Sequence, residues 1–87
     1  MKDMRNLRVK KVAANIRKIR EQLNYTQEYL AAKLKISQNA YSKIELGYTK
    51  ITVERLFHIA DILEVDVINL LNTENTDELN ILAVDSA

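Results

Sequence analysis

The sequence predicts an all-α domain of five helices, and three observations support that fold class. The 87 residues include no proline and one glycine, the two residues that most often interrupt helices. Apolar residues recur at steps of three and four, which is the period of a helix packed on one side. The β-branched residues do not alternate with polar ones, as a half-buried strand would require. A chain of this length buries one small core.

The first predicted helix has the clearest apolar stripe and ends near Leu23 and Asn24. Lysines and arginines occupy most of the face opposite the stripe. The stripe consists of Val9, Val12, Ala13, Ile16, Ile19 and Leu23.

Two short helices come next, separated by a three-residue break. Thr26 is suited to cap a helix over 27–34, and Ser37 to cap a helix over 38–46. Gly47 suits the left-handed backbone position that ends a helix. Neither helix is long enough to be stable alone in water, so each depends on packing.

The last two helices follow Thr52 and Asp66, which are both suited to capping. The buried face of the fourth helix is predicted to hold Val53, Leu56, Phe57, Ala60 and Leu63. The fifth helix is predicted to contain Val67, Ile68, Leu70 and Leu71. Residues 1–72 form the predicted domain, and residues 73–87 form an acidic C-terminal tail that is either disordered or placed at a dimer interface.

Charge is divided sharply along the chain. Residues 1–50 carry 12 Lys and Arg against 4 Asp and Glu, a net charge of +8, whereas residues 51–87 carry 1 against 8, a net charge of −7. The basic half suits a polyanion, although basic and acidic halves of a small domain also attract each other without a partner. No cysteine and no apolar run of membrane-spanning length is present. We therefore expect a cytoplasmic protein without a metal or other cofactor.

The sequence has no pattern typical of an enzyme. His58 is the single histidine, and it lies on the polar side of the fourth predicted helix with no matching cluster. Glycine-rich phosphate loops, nucleophile elbows and zinc-ligand spacings are absent from the sequence. We expect a binding protein.

The two short helices match the helix-turn-helix arrangement, in which the second helix enters the major groove of DNA and the first crosses the backbone. Ala31 is the small side chain that a close crossing requires, and Tyr41 and Ile44 are expected to point inward. The residues left outward are Gln38, Asn39, Ser42 and Lys43. Their side chains suit base edges. A merely solvated face is the alternative, and the turn spacing together with the basic half favours DNA.

The chain resembles the phage-repressor and Cro-like helix-turn-helix family, also called XRE-type, over "IRKIREQLNYTQEYLAAKLKISQNAYSKIELGYTKITVERLFHIADILEVDVINLL", residues 16–71. The specific elements are "TQ" at the start of the second helix, the "LA" within it, the serine before the third, "IE" followed by Gly47, and "ADILEVD". The resemblance implies a lambda-repressor-like domain and a sequence-specific double-stranded DNA-binding transcriptional regulator of repressor type.

The resemblance also implies roles for individual residues. The outward residues of the third helix match positions that face bases or adjoining backbone. Arg20 and Glu45 match a buried ion pair that ties the first helix to the end of the third. The phosphate contacts it implies are Gln27, Ser37, Tyr48, Thr49 and Lys50. A basic N-terminal cluster either lies along the same duplex or forms a solvated face; it comprises Lys2, Arg5, Arg8, Lys10 and Lys11.

Two positions depart from the family pattern. Lys35 stands where glycine is usual in the turn, so we expect a positive φ at a cost of about 1 kcal/mol. Tyr41 stands where a smaller aliphatic residue is common, and its hydroxyl is expected to reach solvent or a phosphate.

We expect a homodimer, because one recognition helix contacts few base pairs and two-fold partners address half-sites about 34 Å apart on a palindromic operator. The predicted interface comprises Ile68, Leu71, Leu79, Ile81 and Leu82. The alternative function is an antitoxin-type module whose main role is to bind a partner protein through its tail. Phage repressors, restriction-modification controllers and antitoxins all fit the resemblance.

Overall fold

The computed structural model describes residues 4–72, which form five α-helices without a strand, as the sequence predicts. Their bounds are α1 Met4–Gln22, α2 Gln27–Leu34, α3 Gln38–Glu45, α4 Val53–Leu63 and α5 Val67–Leu71. The prediction for the tail, residues 73–87, lies outside the described residues.

The four predicted N-caps are confirmed. The side-chain oxygens of Thr26, Ser37 and Thr52 each accept a hydrogen bond of 3.0 Å from the backbone N–H three residues later. Asp66 Oδ1 accepts one of 3.1 Å from the N–H of Ile68. Each bond satisfies an amide that has no partner within its own helix.

Residues with positive φ follow four of the five described helices, and the first is Asn24 after α1, with φ 62°. Lys35 after α2 has φ 60° and ψ 43°, which confirms the prediction for the turn, and Glu64 after α4 has φ 58° and ψ 42°. Gly47 has φ 76°, and a Cβ added there would lie 2.8 Å from Lys10 Cγ and 3.3 Å from Lys10 Cα. Glycine therefore allows both the backbone conformation and the close approach of α1 to the end of α3.

The core lies where α1 meets α3, α4 and α5, and where α2 packs on α3 and α4. Asn15 on α1 holds the end of α5, because its Nδ2 donates to the backbone oxygens of Leu70 at 3.1 Å and Asn72 at 2.7 Å. Ala31 is buried, as the close packing of α2 requires. The largest fully buried side chains are Tyr41, Ile16, Leu30, Ile59, Leu63 and Leu70.

The predicted buried face of α4 is partly wrong. Val53 and Phe57 are 70% and 52% exposed, whereas Ile59 is fully buried. The buried residues follow the i, i+3, i+4, i+7 stripe from Leu56 to Leu63, and Val53 and Phe57 lie to one side of it. At the two ends of the predicted α1 stripe, Val9 is exposed, and so is Leu23, which follows the last residue of α1.

Candidate nucleic-acid interface

Glu45 lies at the centre of a buried polar network at the C-terminal end of α3. Arg20 on α1 donates to it twice, from Nε to Oε2 at 2.6 Å and from Nη2 to Oε1 at 3.2 Å. Tyr41 Oη donates to Oε2 at 2.5 Å, and Gln27 Nε2 donates to Oε1 at 3.0 Å. Arg20 Nη1 also donates to the backbone oxygen of Tyr25 at 2.7 Å. The network thus joins α1, α2 and α3.

The network determines the ionisation of its members. Burial raises the pKa of Glu45, but the hydrogen bonds from Arg20, Tyr41 and Gln27 outweigh burial and hold that pKa below its usual 4.5. The hydrogen bond to Glu45 raises the pKa of Arg20, and burial raises the pKa of Tyr41 above its usual 10.0. At neutral pH the network therefore contains an anion, a cation and a protonated hydroxyl.

The partner of the Tyr41 hydroxyl differs from the prediction. Neither solvent nor a phosphate reaches it, because Tyr41 is fully buried and its hydroxyl donates to Glu45. Tyr41 and Glu45 are four residues apart on α3, so their side chains lie on the same helix face. The tyrosine that replaces an aliphatic residue therefore extends the buried network.

Gln27 connects this network to the start of α2. It is half-buried, and one hydrogen of its amide nitrogen is used in the bond to Glu45. The second hydrogen of Nε2 makes no bond within residues 7–72. Gln27 is also the first residue of α2, where backbone amides face outward.

The outer face of α3 carries the four predicted polar residues. Tyr41 and Ile44 point into the core, as predicted. Gln38, Asn39 and Lys43 are exposed and Ser42 is half-buried. Within the described part of the chain, none of these four side chains has a hydrogen bond or ion pair. Their polar groups are therefore available to a ligand.

A groove of about 470 Å³ lies beside this face. Lys43 on α3 and Lys50 in the following linker line it together with Arg55 on α4. No acidic residue is among the described lining residues. The others are Ile36, Ser37, Asn39, Ala40, Ile44, Thr49 and Thr52. The groove thus presents three cations beside the outer face of α3.

Arg55 is a groove residue that the sequence prediction missed. It is the one Lys or Arg among residues 51–87, which was the available signal. The net charge of −7 over that half does not favour an anion-binding residue there.

The structure describes only some of the other predicted site residues. Tyr48, which follows α3, is 72% exposed, and Gln27, Gln38 and Tyr48 lie outside the described groove lining. In the N-terminal cluster, Arg8, Lys10 and Lys11 are exposed on α1.

The predicted dimer residues on α5 are exposed. Ile68 is 66% exposed and Leu71 49%. Leu79, Ile81 and Leu82 lie outside the described residues. None of the described helices is long and apolar enough to cross a membrane.

These features define a helix-turn-helix protein: two eight-residue helices joined by a short turn, with the second helix presenting polar side chains beside a basic groove. A family model described as helix-turn-helix matches residues 16–69. The chain belongs to this family of XRE-type helix-turn-helix regulators.

Similar proteins include two regulators and one solved structure. The chain is 38% identical over 72 residues to the cryptic phage CTXphi transcriptional repressor RstR of Vibrio cholerae, covering 83% of this chain and 62% of the relative. It is 35% identical over 65 residues to the uncharacterized HTH-type transcriptional regulator YqaE of Bacillus subtilis, covering 75% and 56%. The matches thus span about three fifths of each relative.

The fold is similar to the crystal structure of the clp gene regulator ClgR from C. glutamicum. The TM-score is 0.71 at 25% identity, and the match covers 77% of this chain and 86% of that chain. The all-helical architecture is therefore shared with a solved regulator.

Proposed function

We propose that this protein is a cytoplasmic, sequence-specific regulator that binds double-stranded DNA as a dimeric repressor and reads the major groove with α3. The observation that carries the proposal is the outer face of α3, where four polar side chains without partners in the described chain adjoin a groove lined by cations. The relatives named as transcriptional regulators support the same function.

The side chains that contact base edges are Gln38, Asn39, Ser42 and Lys43. The amides of Gln38 and Asn39 pair with the N6 and N7 edge of adenine, and the ammonium of Lys43 donates to guanine O6 and N7. Ser42 contacts a base or the adjoining backbone. The exposure of the amide and ammonium groups on one helix face supports these roles.

Phosphate contacts position α3 without reading sequence. Gln27 retains one amide hydrogen for a phosphate at the start of α2, and Ser37 retains its hydroxyl hydrogen because its oxygen serves as the N-cap acceptor. Tyr48, Thr49 and Lys50 extend the contacts along the linker after α3. Lys50 gives the largest electrostatic contribution of these five because it alone carries a charge.

Dimerisation is proposed through α5, because Ile68 and Leu71 leave apolar area uncovered there. At micromolar concentration and with operator DNA present, we expect a complex that contains two protein chains. A monomeric mass in the presence and absence of operator contradicts this part of the proposal.

The test of DNA binding is a titration of duplex affinity between about 50 and 200 mM salt. Release of counterions predicts a fall of about 10³-fold or more if the dimer contacts six or more phosphates. A flat response, or absence of binding at low salt, contradicts the proposal and favours the antitoxin-type alternative, in which the chain binds a protein.

A further inference from the structure

Arg55 occupies a distinctive position in the first turn of α4. Its backbone N–H donates to Thr52 Oγ1 at 3.0 Å, so the start of the helix is fixed. Its side chain is half-buried and lines two adjoining grooves, one with Lys43 and Lys50 and the other with Glu54 and Asp61. Even so, no carboxylate of residues 7–72 forms an ion pair with it.

A half-buried arginine without a carboxylate partner is suited to an external anion. Its planar fork donates two parallel hydrogen bonds to two oxygens of one phosphate, which an ammonium cannot do. Since the groove walls already restrict the side chain, binding costs less conformational entropy than it would for a fully exposed arginine.

We infer that Arg55 binds a phosphate of the DNA backbone and, with Lys50, holds α3 in the major groove. This inference rests on the proposed function and adds to it a contact from α4, outside the helix-turn-helix pair itself.

The contact explains how α3 is held on both sides. Asn39 and Lys43, one turn apart, line the groove that contains Arg55. Glu45 points in a different direction around α3, where it accepts the bond from Gln27. A phosphate bound by Gln27 and another bound by Arg55 therefore flank the helix, which restrains its tilt.

The test compares Arg55→Gln and Arg55→Lys with Arg17→Gln as a charge-matched control. Arg17 is exposed on α1, pairs with Glu21 at 3.2 Å and lies outside the groove. We expect Arg55→Gln to weaken binding to all duplexes by about 10- to 100-fold and to lower the salt slope by about 0.9 for each half-site, or about 1.8 for the dimer. Arg55→Lys keeps the slope but loses affinity, because one charge is retained without the fork.

A second readout locates the contact. Neutral methylphosphonates are placed singly along the bound duplex, and each substitution that removes a contacted phosphate weakens the wild-type protein. For Arg55→Gln, the methylphosphonate at one position per half-site is expected to have no effect on affinity. Methylphosphonates at the remaining positions are expected to weaken binding as they do for the wild type. Thermal unfolding of each variant verifies that it is folded.

The outcomes separate the two proposals. If the wild type binds with the expected salt dependence but Arg55→Gln matches Arg17→Gln in affinity, slope and phosphate map, the inference is overturned and the proposed function stands. If the wild type shows no salt-dependent duplex binding, both are overturned.

Discussion

Arg20 and Glu45 form an ion pair 2.6 Å long between α1 and the last residue of α3, with side chains only 9% and 1% exposed. Among the described residues, no buried side-chain polar atom lacks a partner. The helix that presents the polar outer face is therefore oriented by a charge pair on its inner side. Because the pair also holds Gln27, a change at Glu45 affects both stability and the start of α2.

Replacement of Glu45 by glutamine is expected to lower the free energy of unfolding by about 3–5 kcal/mol. The new side chain keeps the shape but removes the carboxylate that pairs with the buried Arg20 guanidinium, which then has only the more distant Glu21 carboxylate at 3.9 Å. Urea unfolding at neutral pH measures the change.

Glu64→Gln is the matched control, because Glu64 is exposed at the end of α4 and forms no ion pair within residues 7–72. Its expected effect is within about 0.5 kcal/mol. Equal losses in the two variants contradict the role assigned to the buried pair.

The contribution of Glu45 to stability depends on pH. Burial raises its pKa, the bonds from Arg20, Tyr41 and Gln27 lower it by more, and the folded value lies below 4.5. A carboxylate whose pKa is depressed on folding stabilises the protein above its unfolded pKa, and this stability is lost as pH falls through the folded pKa. The difference in unfolding free energy between wild type and Glu45→Gln is therefore expected to be constant above about pH 6 and to shrink below about pH 4.5.

Urea unfolding across that range measures the pH effect. The difference between wild type and Glu64→Gln over the same pH range serves as the comparison. A gap between wild type and Glu45→Gln that stays constant down to pH 3 is the contrary result.

Lys35 stores strain in the turn between α2 and α3. Its φ of 60° costs an L-residue about 1–2 kcal/mol that glycine does not incur. Lys35→Gly is expected to unfold at a higher temperature than Lys35→Ala, because alanine keeps the strain while both remove the lysine side chain. Glycine is also more flexible than alanine in the unfolded chain, and this reduces the stabilisation. The free energy of unfolding of Lys35→Gly is therefore expected to exceed that of Lys35→Ala by up to about 1 kcal/mol. A lower midpoint for the glycine variant contradicts this account.

Lys43 and Lys50 line the same groove but are assigned different roles. Lys43→Ala is expected to relax the base preference at one position by about 1–3 kcal/mol, because it removes a contact to a base edge. Lys50→Ala is expected to weaken binding to all sequences and to lower the salt slope by about 1 for each half-site. Affinities for single-base operator variants at several salt concentrations measure both quantities. If the two variants behave alike, the roles are wrong.

Local chemistry made much of the fold predictable. Thr26, Ser37, Thr52 and Asp66 start helices because each side chain accepts a bond from an amide that the helix leaves open, a property that one residue carries by itself. The positive φ at Lys35 was also predictable, since the family pattern places glycine there.

Features set by neighbouring elements were harder to predict. Phe57 is apolar, but which arc of α4 is covered depends on α1, α2 and α5, so its exposure did not follow from periodicity. The bond from Tyr41 to Glu45 required knowledge of where Arg20 places the carboxylate. Arg55 lines the groove because the fold brings the start of α4 beside α3 and the linker, and residue spacing does not reveal that.

The central claim is that α3 reads DNA sequence on behalf of a two-fold dimer. Selection of bound duplexes from a random library tests it most directly, with the protein at a salt concentration that suppresses binding through phosphates alone. The account predicts a palindromic consensus with half-sites one helical turn, about 34 Å, apart. Recovery of duplexes without a shared sequence contradicts it.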